Sequence, residues 1–141
     1  MVQIASKYPF EAAHRQYGDP SKCGFLHGHN WVAEVLIDGY TNNLGYVVDF
    51  KDVKDLVNTL DHCVLLKEGD PLIKILRDAG QRVVIMGKNP TCENVAEYLT
   101  RNILDMSGTI KKVTVIVWEN EKSFAKFTKS NRRDHHESED L

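Results

Sequence analysis

A chain of 141 residues is sized for one domain, with enough length to bury a core that needs no disulfide. With 42% hydrophobic and 27% charged residues and a net charge of −2, it has neither the basic excess of a nucleic-acid binder nor the bias of a disordered or fibrous chain. Three cysteines, Cys23, Cys63 and Cys92, are odd in number and widely spaced, which argues against a disulfide framework and for a reducing compartment. Met1 to Phe10 lacks the layout of a signal peptide and no apolar run reaches membrane-span length, so a cytoplasmic protein with no nucleic-acid and no membrane partner is expected.

Val2 to His14 reads as a strand, with Pro9 at an edge or bulge. Arg15 to Gly28 holds Gly18, Asp19, Pro20, Ser21 and Gly24 and reads as a loop. Asn30 to Tyr40 alternates Trp31, Ala33, Val35 and Ile37 against Val32, Glu34 and Leu36, a second strand, and a turn follows at Thr41 to Gly45. Phe50, Val53, Leu56, Val57 and Leu60 share one helical face, with Asp49 as N-cap. Asp70-Pro71 opens a shorter helix that stops at Gly80, and Arg82 to Met86 is a short strand. Thr91 caps a third helix, striped by Val95, Tyr98, Leu99, Ile103 and Met106. Ile110 to Trp118 is a β-branched strand, and Phe124 to Phe127 adds a short edge piece. From Lys129 onward the chain is polar, so residues 1–128 are expected to form the domain and 129–141, with His135 and His136, a disordered tail. The order predicts an α+β class: an antiparallel sheet with helices packed on one face, its edges open to oligomerisation.

The sharpest chemical signal is His27-Gly28-His29. On extended backbone, residues i and i+2 point to one side, so both imidazoles can reach one cation. Gly28 between them lets the backbone bend or approach closely. If the first two strands pair as a hairpin, His14 returns beside them, and three nitrogens with an open position form the catalytic rather than the structural zinc pattern. The plain alternative is polar loop histidines satisfied by water. Cys23, in the same loop, can be a fourth ligand, a nearby thiolate base or a small buried residue. Asp61 can orient His62 for proton transfer, although a helix C-terminus favours His for dipole reasons alone. Thr91 caps a helix whatever else it does, and Glu93 suits a helix N-terminus. Glu119 either clamps the N–H edge of a guanidine-like ring or ends a strand at the surface.

Phe10-Glu11-Ala12-Ala13-His14, Cys23 to Asn30, Val48-Asp49-Phe50, Leu60-Asp61-His62, Pro90 to Asn94 and Val117-Trp118-Glu119 together resemble the 6-pyruvoyl- and 6-carboxy-tetrahydropterin synthase family, in family order and across nearly the whole chain up to the tail. The resemblance implies a tunnelling fold (T-fold), trimers stacked into a homohexamer, and active sites between subunits. The short Cys-x3-His-Gly-His spacing is similar to the 6-carboxy enzymes of the queuosine, or 7-deazaguanine, pathway. Carried over, His14, His27 and His29 would hold Zn2+. Cys23, Asp61 and His62 would form the catalytic relay. Glu119 would anchor the pterin ring, with Thr91 and Glu93 beside it. The implied reaction turns a pterin triphosphate, 7,8-dihydroneopterin triphosphate, into 6-carboxy-5,6,7,8-tetrahydropterin, acetaldehyde and triphosphate. The alternatives are a 6-pyruvoyl-tetrahydropterin synthase and a non-catalytic zinc-stabilised pterin binder. The stretch between His62 and Pro90 departs from the family pattern and can reshape the pocket mouth.

Overall fold

A period of two sorts β1 (Val2–His14) into two faces: Tyr8, Phe10, Ala12 and His14 are buried, while Lys7, Pro9 and Glu11 are exposed. In the computed structural model, which describes residues 1–131, β1 pairs antiparallel with β2 (His27–Gly39), from Val2 opposite Gly39 to His14 opposite His27. The second strand therefore starts at His27 rather than Asn30. His27 to His29 are drawn into it by pairing with Ala12, Ala13 and His14. β2 buries Trp31, Ala33, Val35 and Ile37 on the same side.

β5 (Ile110–Trp118) pairs antiparallel with β2 and buries Val113, Val115 and Val117, and β6 (Phe124–Ser130) pairs antiparallel with β5. On the other flank β3 (Cys63–Lys67) runs parallel to β1, with Ala12 opposite Cys63, and β4 (Val83–Met86) runs parallel to β3. The six-stranded order is β4-β3-β1-β2-β5-β6. The α+β expectation holds, but the sheet is mixed, not purely antiparallel. The missing strand is β3, whose run Cys-Val-Leu-Leu-Lys is short and buries Cys63, Leu65 and Leu66 without alternation, so periodicity cannot mark it.

α1 (Phe50–Asn58) and α3 (Cys92–Leu104) cover the buried face of the sheet. Val53 and Val57 of α1 and Val95, Ala96, Leu99 and Ile103 of α3 join the same core as Phe10 and Trp31. The expected caps form: Asp49 accepts from the Lys51 N–H and Thr91 from the Asn94 N–H. α2 (Leu72–Asp78) buries none of its residues. It is held instead by buried Asp70, which takes Nε and Nη2 of Arg15 at 2.8 and 2.5 Å and caps Leu72 N at 2.9 Å. The 63–89 stretch is thereby tied to the residue that follows His14. Lys129 and Ser130, expected in the tail, belong to β6. Residues 132–141, with His135 and His136, lie outside the described residues. No helix of the described residues is long and apolar enough to cross a membrane.

Candidate metal centre and its surroundings

Strand parity builds the centre. His14 continues the buried series Tyr8, Phe10, Ala12; His27 and His29 precede Trp31, Ala33 and Val35 in theirs; and Glu119 is next after Val113, Val115 and Val117. At the end of the core face, where three strands finish together, the apolar stripes give way to three imidazoles and a carboxylate. One donor atom from each of His14, His27, His29 and Glu119 lies within 4.8 Å of all the others. The rings meet edge to face, with centroids 4.7 Å (His14–His27), 5.1 Å (His14–His29) and 4.8 Å (His27–His29) apart. Trp31 underlies them edge-on at 4.9 Å from His14 and 5.6 Å from His29, its own Nε1–H donating to the Ala12 carbonyl at 3.1 Å.

Backbone carbonyls orient two of the rings. His14 Nδ1 lies 2.7 Å from the Pro90 carbonyl and His27 Nδ1 lies 2.7 Å from that of Phe25, which directs each Nε2 inward. Burial pushes the His14 pKa below the usual imidazole range, opposed by the Pro90 carbonyl and then by Glu119. The neutral, metal-binding form is thus favoured at pH 7. Nε2 of His14 and of His29 are buried without a hydrogen-bond partner. Orphaned buried ring nitrogens converging on one point fit a bound cation, and an imidazole-rich donor set suits a borderline metal such as zinc.

The Asp61–His62 pair lies at the β1–β3 junction. His62 does not end α1, which stops at Asn58; it occupies the left-handed region, φ 57°, just before β3. A bulky residue holds that conformation at a cost, and here its N–H donates to the Glu11 carbonyl at 2.6 Å while Arg82 Nη2 donates to the Asp61 carbonyl at 3.2 Å. Asp61 Oδ1 accepts from the Glu11 N–H at 2.8 Å and Oδ2 meets His62 Nδ1 at 2.9 Å. The Glu11 N–H, then His62, hold the Asp61 carboxyl below the usual range. On its far side His62 Nε2 is 3.7 Å from Glu11 Oε2. His62 and His29 both line an open groove of about 450 Å³, together with Glu11, Gly28, Gln81 and Arg82.

With this geometry in place, likeness to known proteins is specific. The family profile described as 6-pyruvoyl tetrahydropterin synthase matches residues 3–130. The chain belongs to the 6-pyruvoyl tetrahydropterin synthase family. It is 40% identical over 111 residues to 6-carboxy-5,6,7,8-tetrahydropterin synthase of Rickettsia bellii, covering 73% of this chain and 80% of that one. It is 28% identical over 156 residues to the protein of that name from Aquifex aeolicus, covering 89% and 96%. In fold it is similar to 6-pyruvoyl tetrahydropterin synthase of Plasmodium falciparum, with TM-score 0.67 and 20% identity over 92% of this chain and 98% of that one. The α+β T-fold expected from the motifs is therefore the fold observed.

Within this family member the expected site residues fall into separate groups. The three histidines converge and Glu119 joins them. Cys23 is exposed, in a single 3-10 turn of the β1–β2 loop, outside the histidine cluster and outside the groove. A Cβ at Gly24 would overlap the Asp19 carbonyl, so glycine there lets the loop fold back and bond Gln16 N–H to the Cys23 carbonyl at 2.7 Å. Thr91 caps α3, and its neighbour Pro90 orients His14. Glu93 is exposed on α3. Gly28 sits in regular register opposite Ala13, and a Cβ there would meet nothing nearer than the Ala12 carbonyl at 3.7 Å, so no backbone bend requires it. Its missing side chain instead leaves the groove open. Sequence reading missed Glu11 beside His62 and the nearness of Glu119 to the imidazoles. The second was signalled by the alternation through Val113, Val115 and Val117, which carries position 119 to the helix-covered face.

Proposed function

We propose that the protein is a zinc-dependent carbon–carbon lyase that converts 7,8-dihydroneopterin triphosphate to 6-carboxy-5,6,7,8-tetrahydropterin, acetaldehyde and triphosphate. We place it in the cytoplasm as a homohexamer that supplies the queuosine pathway. The observation that carries the reading is the convergence of three imidazoles with orphaned Nε2 atoms, in a chain whose relatives carry the 6-carboxy name. Zinc on His14, His27 and His29 would supply Lewis acidity to the oxygens of the substrate side chain.

The chain's own residues do the remaining work. Cys23, as thiolate, removes the proton from the side-chain carbon next to the ring. His62, oriented through Nδ1 by Asp61, presents Nε2 to the groove and moves the second proton. The Glu119 carboxylate accepts N–H groups of the pterin ring and so fixes the side chain at the imidazoles, with Thr91 and Glu93 beside it. Cys23 lies outside the groove that His62 lines, and a relay completed between subunits accounts for that separation.

The test is to incubate the zinc-loaded protein with 7,8-dihydroneopterin triphosphate, identify the pterin by mass spectrometry and assay acetaldehyde. Acetaldehyde with the 6-carboxy mass is expected. A 6-pyruvoyl product without acetaldehyde assigns the sister activity, and no turnover at full zinc occupancy removes the catalytic reading for this substrate.

A further inference from the structure

We propose that Glu119 is the fourth donor of the metal centre in the resting protein, so that three imidazoles and one carboxylate close around the cation. The inference rests on the reading that the histidines hold a divalent metal. It leaves the ring-anchoring role of Glu119 to the substrate-bound state.

Distance is the first argument. Glu119 Oε1 lies 3.2 Å from His14 Nε2 and 3.4 Å from His29 Nε2. Donors about 2.0–2.1 Å from a tetrahedral zinc are about 3.3–3.4 Å apart, since the edge of a tetrahedron is about 1.63 times its centre-to-corner length. The carboxylate oxygen therefore stands at ligand-to-ligand spacing from two of the imidazoles.

Direction is the second argument, and it is independent of the first. His14 Nδ1 donates to the Pro90 carbonyl at 2.7 Å, so in the neutral ring Nε2 carries a lone pair. Despite their nearness to Glu119, neither His14 Nε2 nor His29 Nε2 has a hydrogen-bond partner. The contacts are not N–H groups aimed at a carboxylate. The His14 lone pair, the unpartnered His29 Nε2 and the Glu119 oxygen face a common point, and lone pairs crowded at this spacing repel unless a cation lies among them.

The fold holds Glu119 where this requires. The two preceding residues are pinned: the Val117 carbonyl accepts Cys92 Sγ–H at 2.9 Å, and Trp118 Nε1–H donates to Glu34 Oε1 at 2.8 Å. Cys23, the other candidate for the fourth place, is exposed in its loop and is absent from the cluster. The centre is then four-coordinate before substrate arrives, unlike the open three-histidine set that the sequence motif implies.

The experiment is a metal-binding measurement and needs no turnover. Wild type, Glu119→Gln and Glu119→Asp are stripped of metal, checked for folding by circular dichroism, and titrated with zinc in competition with a chromophoric chelator. Cobalt(II) is loaded in parallel and its visible bands recorded. Glu119→Gln is expected to lose about tenfold or more in zinc affinity, at least the loss typical of removing an outer-shell partner. Its cobalt bands are expected to change in intensity and position as the donor set changes, with Glu119→Asp intermediate. Equal zinc affinity and identical cobalt spectra in wild type and Glu119→Gln overturn the assignment of Glu119 while leaving the histidine site standing. A wild type that binds neither ion overturns both.

Discussion

His14 answers two demands at once: it is almost fully buried, at 1% exposure, and both ring nitrogens face polar groups, the Pro90 carbonyl on one side and the point shared with His27, His29 and Glu119 on the other. Replacing it by Ala removes a candidate ligand and leaves the Pro90 carbonyl with only the long 3.4 Å contact from Gln16 Nε2, so His14→Ala is expected to lose metal and stability together. Cys23 is exposed and outside the cluster, so the two properties separate there. Cys23→Ala is expected to keep full zinc content by atomic spectroscopy and to lose turnover; loss of zinc would make Cys23 a ligand. Gly28 tests the groove. A side chain at this position has room, with 3.7 Å to the Ala12 carbonyl, yet by strand parity it would project into the groove beside Glu11, Asn30 and His62, on the face of β2 opposite the imidazoles. Gly28→Val, a better strand former, is expected to fold and bind zinc normally while its kcat/KM falls steeply. Unchanged kinetics would place the substrate elsewhere.

Between elements, one buried ion pair ties the 63–89 stretch to the strand that carries His14. Asp70 has no exposed side-chain surface, and it joins Arg15 of the β1–β2 loop to the start of α2. Asp70→Asn weakens the two-toothed contact and leaves the guanidinium poorly matched, at a cost of about 2–4 kcal/mol. The Arg15 guanidinium holds the Asp70 carboxyl below the usual carboxylate range. A folded pKa below the unfolded value of about 3.9 means the contribution is fully present at neutral pH and is lost as pH falls through the folded value. In urea titrations the gap between wild type and Asp70→Asn is therefore expected to be wide at pH 7 and to narrow in acid. A gap independent of pH would show that packing, not charge, sets the effect. This pair was illegible in the sequence, because nothing local connects residues 15 and 70. The same physics separates the elements that local sequence marks from those it does not. Most of β2, with one buried face, announces itself by alternation, β5 by its β-branched run, and the helices by their caps at Asp49 and Thr91. β3 does not, because a short parallel strand is specified by partners far along the chain. The histidines were legible because a hairpin returns His14 to His27, whereas Glu119 arrives from β5 and becomes legible once strand parity is followed past Trp118.

For the whole molecule, the core is built without the metal. Phe10 and Trp31 stack at 5.6 Å within a continuous apolar cluster that includes α1 and α3, so chelation is expected to lower the melting temperature by several degrees without unfolding the protein. Loss of circular dichroism on chelation would make the metal structural, as in a zinc finger. Catalysis is expected to depend on assembly instead. Within one chain no hydrogen bond or shared groove among the described residues joins Cys23 to the Asp61–His62 pair. If adjoining subunits each supply one part, Cys23→Ala and His62→Ala are each inactive alone but complementary. When the two are unfolded together, mixed in equal amounts and refolded with zinc, a site is whole wherever an intact cysteine meets an intact dyad. Random assembly makes this about one site in four, so recovery to about a quarter of wild-type activity is expected. If both groups came from one chain, no mixed assembly would contain a whole site. Absence of recovery, with mass measurements showing that mixed oligomers had formed, would place the relay inside a single subunit and require the Cys23 loop to move toward the groove.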